Sequence, residues 1–192
     1  MARKKLTGKK VAILVEEGFE QVELIKPRKA LERAGAQTQV VSPRESEVRG
    51  WNMHRWGKCI AVDVPLASAD ASDFDALLLP GGVMNPDKLR MNPAAVEFVK
   101  HFFDAAKPVA AICHGPWTLV EADVVRGRTL TSWPSLKTDI KNAGGHWIDE
   151  EVVTDMGLVS SRKPDDIRAF NKKMIEEFAE GEHKTRYQRR VA

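Results

Sequence analysis

Pro108-Val-Ala-Ala-Ile-Cys113-His-Gly115 is the stretch that decides the fold, because a short apolar run ends in a cysteine where a helix-like stretch begins. Such a run is typical of a strand buried on both faces of a parallel sheet. Ala111 and Gly115 flank Cys113 at two positions on either side and leave room for a sharp turn. This nucleophile-elbow pattern exposes the side chain at its apex, so the sequence predicts a reactive Cys113. The alternative is a small core residue, since free cysteines are often buried.

Similar strands and helices extend in both directions from this turn. Residues 10–15 predict a strand, residues 22–34 a helix that Gly35 ends, and residues 37–41 a second strand. A strand, a crossover helix and another strand imply parallel pairing. Further segments continue the alternation: a strand at 76–79, a helix at 93–106, strand candidates at 152–154 and 158–161, and a helix at 164–180. We therefore predict an α/β fold in which helices cover both faces of a mostly parallel sheet.

The segment from 45 to 65 interrupts this pattern. It mixes charged residues with Trp51, Met53, His54, Trp56 and Cys59, and no helical or strand period persists. We expect a hairpin or a protruding flap here. The whole chain, residues 1–192, is predicted to be one domain with its core at about residues 10–180 and a solvated basic tail at 181–192.

Composition and charge narrow the class of protein. With 192 residues and 43% apolar content, the chain can bury one substantial core. The chain has thirty basic and twenty-seven acidic residues, so its formal net charge is +3. A charge this small does not indicate a nucleic-acid partner. No apolar stretch approaches the roughly 20 residues that span a bilayer, and the apolar run after the basic N-terminus ends at Glu16, too early for an export signal. The two cysteines, Cys59 and Cys113, are therefore expected to be reduced, in the cytoplasm.

Two other turns are expected to lie beside Cys113, because the carboxyl ends of parallel strands gather at one edge of a sheet. The first turn carries Glu20 and Glu23, which can share a helix face, and either could hydrogen-bond the cysteine sulfur. The second carries Gly81 and Gly82, whose N–H groups could form an oxyanion cradle together with the N–H of His114. Both turns also have ordinary interpretations, as first-turn helix charges and as a simple glycine turn.

The local environment of Cys113 suggests how it could be activated. Its place before a helix N-terminus predicts a thiol pKa below the usual value, because the partial positive charge there favours the thiolate. His114 is the next residue, and side chains of consecutive residues diverge, so His114 is not expected to be the direct base for Cys113. An ionisable partner from elsewhere in the chain is therefore expected.

Four segments together resemble bacterial members of the DJ-1/PfpI family: FEQVEL at 19–24, LLPGGVMNPDKLR at 78–90, AICHGPW at 111–117 and SSRKPDD at 160–166. The resemblance implies a flavodoxin-like three-layer sandwich without a cofactor, with Cys113 as the reactive cysteine and His114 beside it. Glu23 falls on the glutamate that meets the cysteine, and Glu20 on a second acidic position. Asp87 falls on an acid that a neighbouring subunit supplies to the histidine, which implies a homodimer or a larger homo-oligomer.

The resemblance leaves several functions open: cysteine peptidase, glyoxalase, glycation-repair hydrolase, chaperone and redox stress protein. A thiolate that attacks an aldehyde forms a hemithioacetal, which an acid/base pair can process, so the residues favour a small dicarbonyl or a glycated adduct as substrate. The competing hypothesis is a redox sensor or holdase in which Cys113 oxidises and the 45–65 segment binds clients. A metal site of His54, Cys59 and Cys113 lacks the spacing of known ligand sets.

Overall fold

The computed structural model describes residues 4–183, and a seven-stranded sheet lies at its centre. The strands are β1 (Lys10–Leu14), β2 (Gln37–Ser42), β3 (Glu47–Asn52), β4 (Arg55–Ala61), β5 (Val64–Pro65), β6 (Ala76–Leu79), β7 (Val109–Ile112), β8 (Thr129–Leu130), β9 (His146–Trp147), β10 (Val152–Asp155) and β11 (Leu158–Ser161). The helices are α1 (Gln21–Arg33), α2 (Met84–Arg90), α3 (Pro93–Asp104), α4 (Pro116–Glu121), α5 (Lys137–Asn142) and α6 (Ile167–Glu180). The predicted basic tail lies outside the described residues from position 184 onwards.

The order of strands in the main sheet is β10-β11-β7-β6-β1-β2-β5. All neighbours are parallel except β10 and β11, which form an antiparallel pair at one edge. Helices α1 and α6 cover one face of the sheet, and α2 to α5 cover the other. This arrangement confirms the predicted α/β class and the flavodoxin-like three-layer sandwich. Within residues 4–183, no helix has both the length and the apolar character that crossing a bilayer requires.

Alternate residues of the central strands pack into two different cores. In β1, Ala12 and Leu14 belong to the core beneath α3 and α4, whereas Val11 and Ile13 belong to the core beneath α1 and α6. All four side chains are fully buried. Complete burial of a valine, leucine or isoleucine contributes about 1.5–3 kcal/mol, so both faces of the strand select apolar residues. This explains why the strand reads as a continuous apolar run.

The interrupted segment forms the antiparallel hairpin β3–β4, which confirms the prediction of a hairpin. The backbone N–H of Trp51 donates to the carbonyl oxygen of Phe19 at 2.7 Å, and this bond attaches the hairpin just before α1. Gly50 lets the strand approach closely, because a Cβ there would lie 3.1 Å from the Phe19 ring. Met53 and Trp56 are 71% and 42% exposed near the tip. The hairpin therefore presents apolar surface next to the turn that leads into α1.

Candidate active site

Cys113 lies at the turn between β7 and α4, with the backbone shape expected of an elbow. Its φ of 61° is in the left-handed region, which residues other than glycine rarely adopt. Two glycines make this turn possible. A Cβ on Gly115 would lie 2.6 Å from the carbonyl oxygen of Leu79, and a Cβ on Gly81 would lie 2.7 Å from the Cβ of Cys113. The predicted elbow at Cys113 is therefore present, and the neighbouring backbone holds it.

The side chain at the apex is less accessible than the elbow pattern predicts. Cys113 is only 7% exposed, because the turn at Gly81 packs against its Cβ and the side chains of Glu23 and His114 contact its sulfur. Cys59, on β4, is exposed, and both cysteines are free thiols. A reactant can therefore reach Cys113 only if it is small or if the surrounding loops open.

Glu23 is fully buried in the first turn of α1 and lies beside Cys113. Burial raises the pKa of its carboxyl to about 8, the charge of Glu20 adds to this shift, and the N–H of Gly81 opposes it. Glu23 Oε2 accepts that N–H at 2.8 Å. The prediction of Gly81 as an oxyanion donor is therefore wrong in this structure, because its N–H already holds Glu23. Near neutral pH the Glu23 carboxyl is protonated and can donate a hydrogen bond to the sulfur.

The thiol of Cys113 does not have the lowered pKa that its position in the sequence predicts. Burial raises the pKa of Cys113, and the charge of ionised Glu23 raises it further. The backbone N–H groups of Gly82 and His114 point at the sulfur and lower the pKa by a smaller amount. The prediction is wrong because it counted these donors but not the loss of water around the sulfur. Protonation of Glu23 removes the unfavourable charge, so a thiolate at Cys113 is less disfavoured while Glu23 is protonated.

His114 contacts the sulfur directly, in contrast to the prediction that consecutive side chains diverge. Its Nδ1 lies 3.2 Å from Cys113 Sγ. Burial lowers the pKa of His114 to about 4, so the ring is neutral near neutral pH and can accept a proton. The ring stacks against Trp133 at 6.0 Å between centroids and meets the edge of Trp117 at 5.6 Å. Its Nε2 lies 3.3 Å from Ser135 Oγ.

Ser135 and Trp133 are site residues that the sequence analysis did not predict. Both lie at the short turn that follows β8, and the carbonyl oxygen of Cys113 accepts the backbone N–H of Trp133 at 2.9 Å. This turn contains no strand, no helical period and no motif that reasoning from the sequence could use. The bond between Trp133 and Cys113 explains how a segment distant in the chain comes to line the histidine.

The remaining predicted acids lie elsewhere. Glu20 precedes α1, where burial raises the pKa of its carboxyl, and no hydrogen bond joins it to Cys113 within residues 4–183. Asp87 is in the first turn of α2, in an open groove that it lines with Arg90, Met91 and Glu121. The structure brings Cys113, His114, Glu23 and Gly82 together, but it does not bring Glu20 or Asp87 of the same chain to the sulfur.

This set of side chains suits nucleophilic chemistry without a metal. A neutral imidazole can take the thiol proton, and a protonated carboxyl can supply another. Among the described residues, the group that could hold a metal lies away from this site, at the end of α6. The site around Cys113 therefore offers a nucleophile, a base and an acid, and each is held by buried contacts.

Comparison with known proteins finds relatives in both sequence and fold. The model of the DJ-1/PfpI family matches residues 9–177. The chain is 42% identical over 169 residues to "Putative cysteine protease YraA" of Bacillus subtilis, with 88% of this chain and 97% of that protein covered. It matches Drosophila melanogaster DJ-1beta with a TM-score of 0.80 and 30% identity, over 89% of this chain and 90% of the other. A two-domain protein of Anabaena variabilis with DJ-1/ThiJ/PfpI-like and ferritin-like domains matches with a TM-score of 0.82 and 39% identity, over 88% of this chain and 47% of its own.

Proposed function

The chain belongs to the DJ-1/PfpI family, and from that premise we propose that it is a stress-response hydrolase or lyase that uses Cys113 against small reactive dicarbonyls or their glycation adducts. The observation that carries this proposal is the 3.2 Å contact between Cys113 Sγ and His114 Nδ1 next to the buried Glu23. It combines a nucleophile with a base and an acid, which addition to a carbonyl requires.

The restricted access to Cys113 supports a small substrate. The side chain is 7% exposed, and the aromatic rings of Trp117 and Trp133 both pack against His114. A molecule of a few carbon atoms needs less movement of the surrounding turns to reach this sulfur than a larger substrate does. A polypeptide in extended form would need the turn at Gly81 and the turn at Ser135 to move apart first.

The first step is addition to the aldehyde. The sulfur forms a bond to the aldehyde carbon while the electrons of the carbon–oxygen double bond move to oxygen, and the thiol proton passes to His114 Nδ1 as this bond forms. The transfer is coupled to the addition because the raised pKa of the thiol and the lowered pKa of the ring disfavour a free thiolate beside an imidazolium. The N–H groups of Gly82 and His114 point at the sulfur, so they lie close to the new oxyanion. The imidazolium then returns its proton to that oxygen, and a hemithioacetal results.

The second step moves a proton between neighbouring carbons. The former aldehyde carbon loses its hydrogen as a proton while the ketone oxygen gains one, which gives an enediol. The former ketone carbon then gains a proton while the hydroxyl on the former aldehyde carbon loses one, which leaves a thioester of a 2-hydroxy acid. With a pKa of about 8, the protonated Glu23 carboxyl can first give its proton to the ketone oxygen and then, as carboxylate, take the proton from the neighbouring carbon. Water then hydrolyses the thioester and restores the thiol. The net reaction is dicarbonyl plus water to 2-hydroxy acid, and it needs no external oxidant or reductant.

Two other functions have some support. The name of YraA favours a cysteine peptidase, and a Cys–His pair is common to such enzymes. The exposed Met53 and Trp56 on the hairpin favour a holdase or redox sensor without turnover. A peptidase requires Cys113 to contact a polypeptide, and a holdase requires the hairpin to contact one. The burial of Cys113 argues against the peptidase.

One set of assays separates these functions. The purified chain is given methylglyoxal or casein, and formation of 2-hydroxy acid or of peptides is followed. We expect 2-hydroxy acid from the unmodified protein and from Cys59→Ala, but none from Cys113→Ala. Cleavage of casein that depends on Cys113, without turnover of methylglyoxal, would replace the proposal with a peptidase. Suppressed aggregation of a client by Cys113→Ala, without turnover of either substrate by the unmodified protein, would identify a holdase.

A further inference from the structure

A second group of ligand-type side chains lies at the end of α6, outside the site around Cys113. Glu177 and Glu180 are on the last turn of this helix, and His183 follows it. One ligand atom from each residue lies within 4.8 Å of the others. We propose that these three side chains form a binding site for a divalent transition metal ion, of which Zn²⁺ is the best fit.

The local sequence brings the three side chains to one place. Glu177 and Glu180 are three positions apart, so they share a face of the helix. Gly181 ends the helix with φ of 80°, and the chain then turns back so that His183 faces Glu177. The N–H of His183 donates to the carbonyl oxygen of Ala106 at 2.9 Å, which fixes the backbone at this point.

A glycine on a neighbouring turn leaves space for the histidine ring. Gly157 connects β10 and β11, and a Cβ there would lie 2.7 Å from Cδ2 of His183. The ring is consequently packed between this turn and the end of α6. The position of His183 is therefore set by a backbone hydrogen bond and by close packing.

The buried Nε2 atom of His183 is the observation that points to a ligand. Its side chain is only 8% exposed, and Nε2 is buried without a hydrogen bond to any described residue. Buried polar atoms nearly always have a partner. Nε2 faces Glu177 Oε2 at 3.3 Å. A cation between these atoms would satisfy the ring nitrogen.

The separation of the two atoms agrees with coordination of zinc. Zinc binds histidine nitrogen at about 2.0–2.1 Å and carboxylate oxygen at about 2.0–2.2 Å, so ligands of a tetrahedral ion are roughly 3.3–3.5 Å apart. The observed 3.3 Å between Nε2 and Oε2 falls at this value. Glu180 is exposed and gives the ion a path from solvent. Two carboxylates and a neutral imidazole supply two negative charges, which match a divalent ion, and the nitrogen ligand disfavours Mg²⁺ and Ca²⁺.

Such an ion would join three parts of the fold. It would connect the end of α6 to the turn at Ala106, which precedes β7, and to the turn at Gly157. The elbow at Cys113 directly follows β7. The role we assign to the metal is structural, because the ion would hold the last helix against the strands that carry the elbow.

The test measures zinc binding by the full-length chain in a Cys59→Ser/Cys113→Ser background, which removes competing thiols. Zinc is titrated in competition with a chromophoric chelator, and thermal unfolding is followed with and without zinc. We expect one zinc per chain and a higher unfolding midpoint with zinc. His183→Ala and Glu180→Gln should each weaken binding by roughly tenfold or more, since even residues behind the ligands cost 10–100-fold. His146→Ala, which removes an exposed histidine of β9, should leave binding unchanged.

Several results would overturn the proposal. Zinc that binds His183→Ala and Glu180→Gln as tightly as the parent must use other ligands. If the parent protein binds no zinc, the three side chains do not form a zinc site. If His183→Ala loses the same stability with and without zinc, Nε2 and Glu177 form only an ion pair. Should His183→Ala fail to fold, Glu180→Gln decides, because Glu180 is exposed and its replacement disturbs no core contact.

Discussion

Nδ1 of His114 lies 3.2 Å from Sγ of Cys113, although the two residues are consecutive in the chain. The φ of 61° at Cys113 turns the following residue, so that both side chains face the same space. A neutral imidazole has one N–H, and when it is on Nε2 it can donate a hydrogen bond to Ser135 Oγ, 3.3 Å away. In this tautomer Nδ1 is free to accept the thiol proton. The strained turn thus supplies the base as well as the nucleophile.

We expect kcat/KM for methylglyoxal to follow a bell-shaped pH profile. The acid limb should lie near pH 4, because burial lowers the pKa of His114 to about 4 and a protonated ring cannot accept the thiol proton. The alkaline limb should lie near pH 8, because burial raises the pKa of Glu23 to about 8 and the ionised carboxylate opposes the thiolate beside it. Initial rates across this pH range measure both limbs.

Glu23→Gln is the matched control for that pH profile. Glutamine keeps the shape of the side chain and a hydrogen-bond donor, but it cannot ionise. Its rate should be lower, yet the profile should lose the alkaline limb and keep the acid limb. A variant whose activity still falls above pH 8 would show that a group other than Glu23 causes the limb.

Glu23 should also make the stability of the fold depend on pH. Its carboxyl has a pKa of about 8 when folded and near 4.5 when unfolded, so the folded chain binds more protons between these values. The free energy of unfolding should therefore fall as pH rises from 4.5 to 8, by on the order of 4 kcal/mol. Urea unfolding of the protein and of Glu23→Gln over this range measures the difference. An identical pH dependence in both would contradict the raised pKa.

The parts of the fold that could be predicted from the sequence are those set by periodic burial. Residues 10–15 and 76–79 read as strands because both faces of each strand are buried. The turn that carries Glu20 and Glu23 could be placed near Cys113 because the ends of parallel strands meet at one edge. This reasoning needs only topology, and topology follows from the order of strands and helices.

The details of the site could not be predicted in the same way, because they depend on individual torsions and bonds. The approach of His114 to the sulfur follows from one positive φ, and the loss of Gly81 as a donor follows from one bond to Glu23. The direction of the Cys113 pKa depends on how much water the packed turns exclude. Ser135 lies on a turn without any period or motif. Residue type and spacing alone do not determine these torsions, hydrogen bonds and solvent contacts.

The elbow should not tolerate a larger residue at position 115. In Gly115→Ala the added Cβ would lie 2.6 Å from the Leu79 carbonyl oxygen and 3.0 Å from that of Ile112, and backbone atoms of two buried strands cannot move aside. We expect a loss of about 1–3 kcal/mol in the free energy of unfolding, together with a loss of Cys113 reactivity. Gly8→Ala is the comparison, since its Cβ meets nothing within 4 Å and only its positive φ is strained. Equal losses in the two variants would show that packing at the elbow is not the cause.

The last prediction concerns the second partner of His114. We expect the active form to be a homo-oligomer in which Asp87 of a neighbouring subunit acts on the histidine, so that Asp87→Ala lowers methylglyoxal turnover. Alkylation of Cys113 by iodoacetamide should change little, because the variant disturbs the histidine and not the sulfur. The competing arrangement keeps the partner within the chain, where Ser135 Oγ lies 3.3 Å from Nε2. In that case Ser135→Ala would lower turnover and Asp87→Ala would not.

Mixed oligomers decide between these arrangements. Asp87→Ala subunits keep their cysteine and Cys113→Ala subunits keep their aspartate, so each variant is impaired alone. In a mixed oligomer an intact Cys113 can lie next to an intact Asp87 of the neighbouring subunit, and part of the activity should return. The return requires contact between subunits, because neither chain by itself has both groups. No recovery after proven subunit exchange, or a fully active monomer by light scattering, would assign the histidine partner to Ser135 of the same chain.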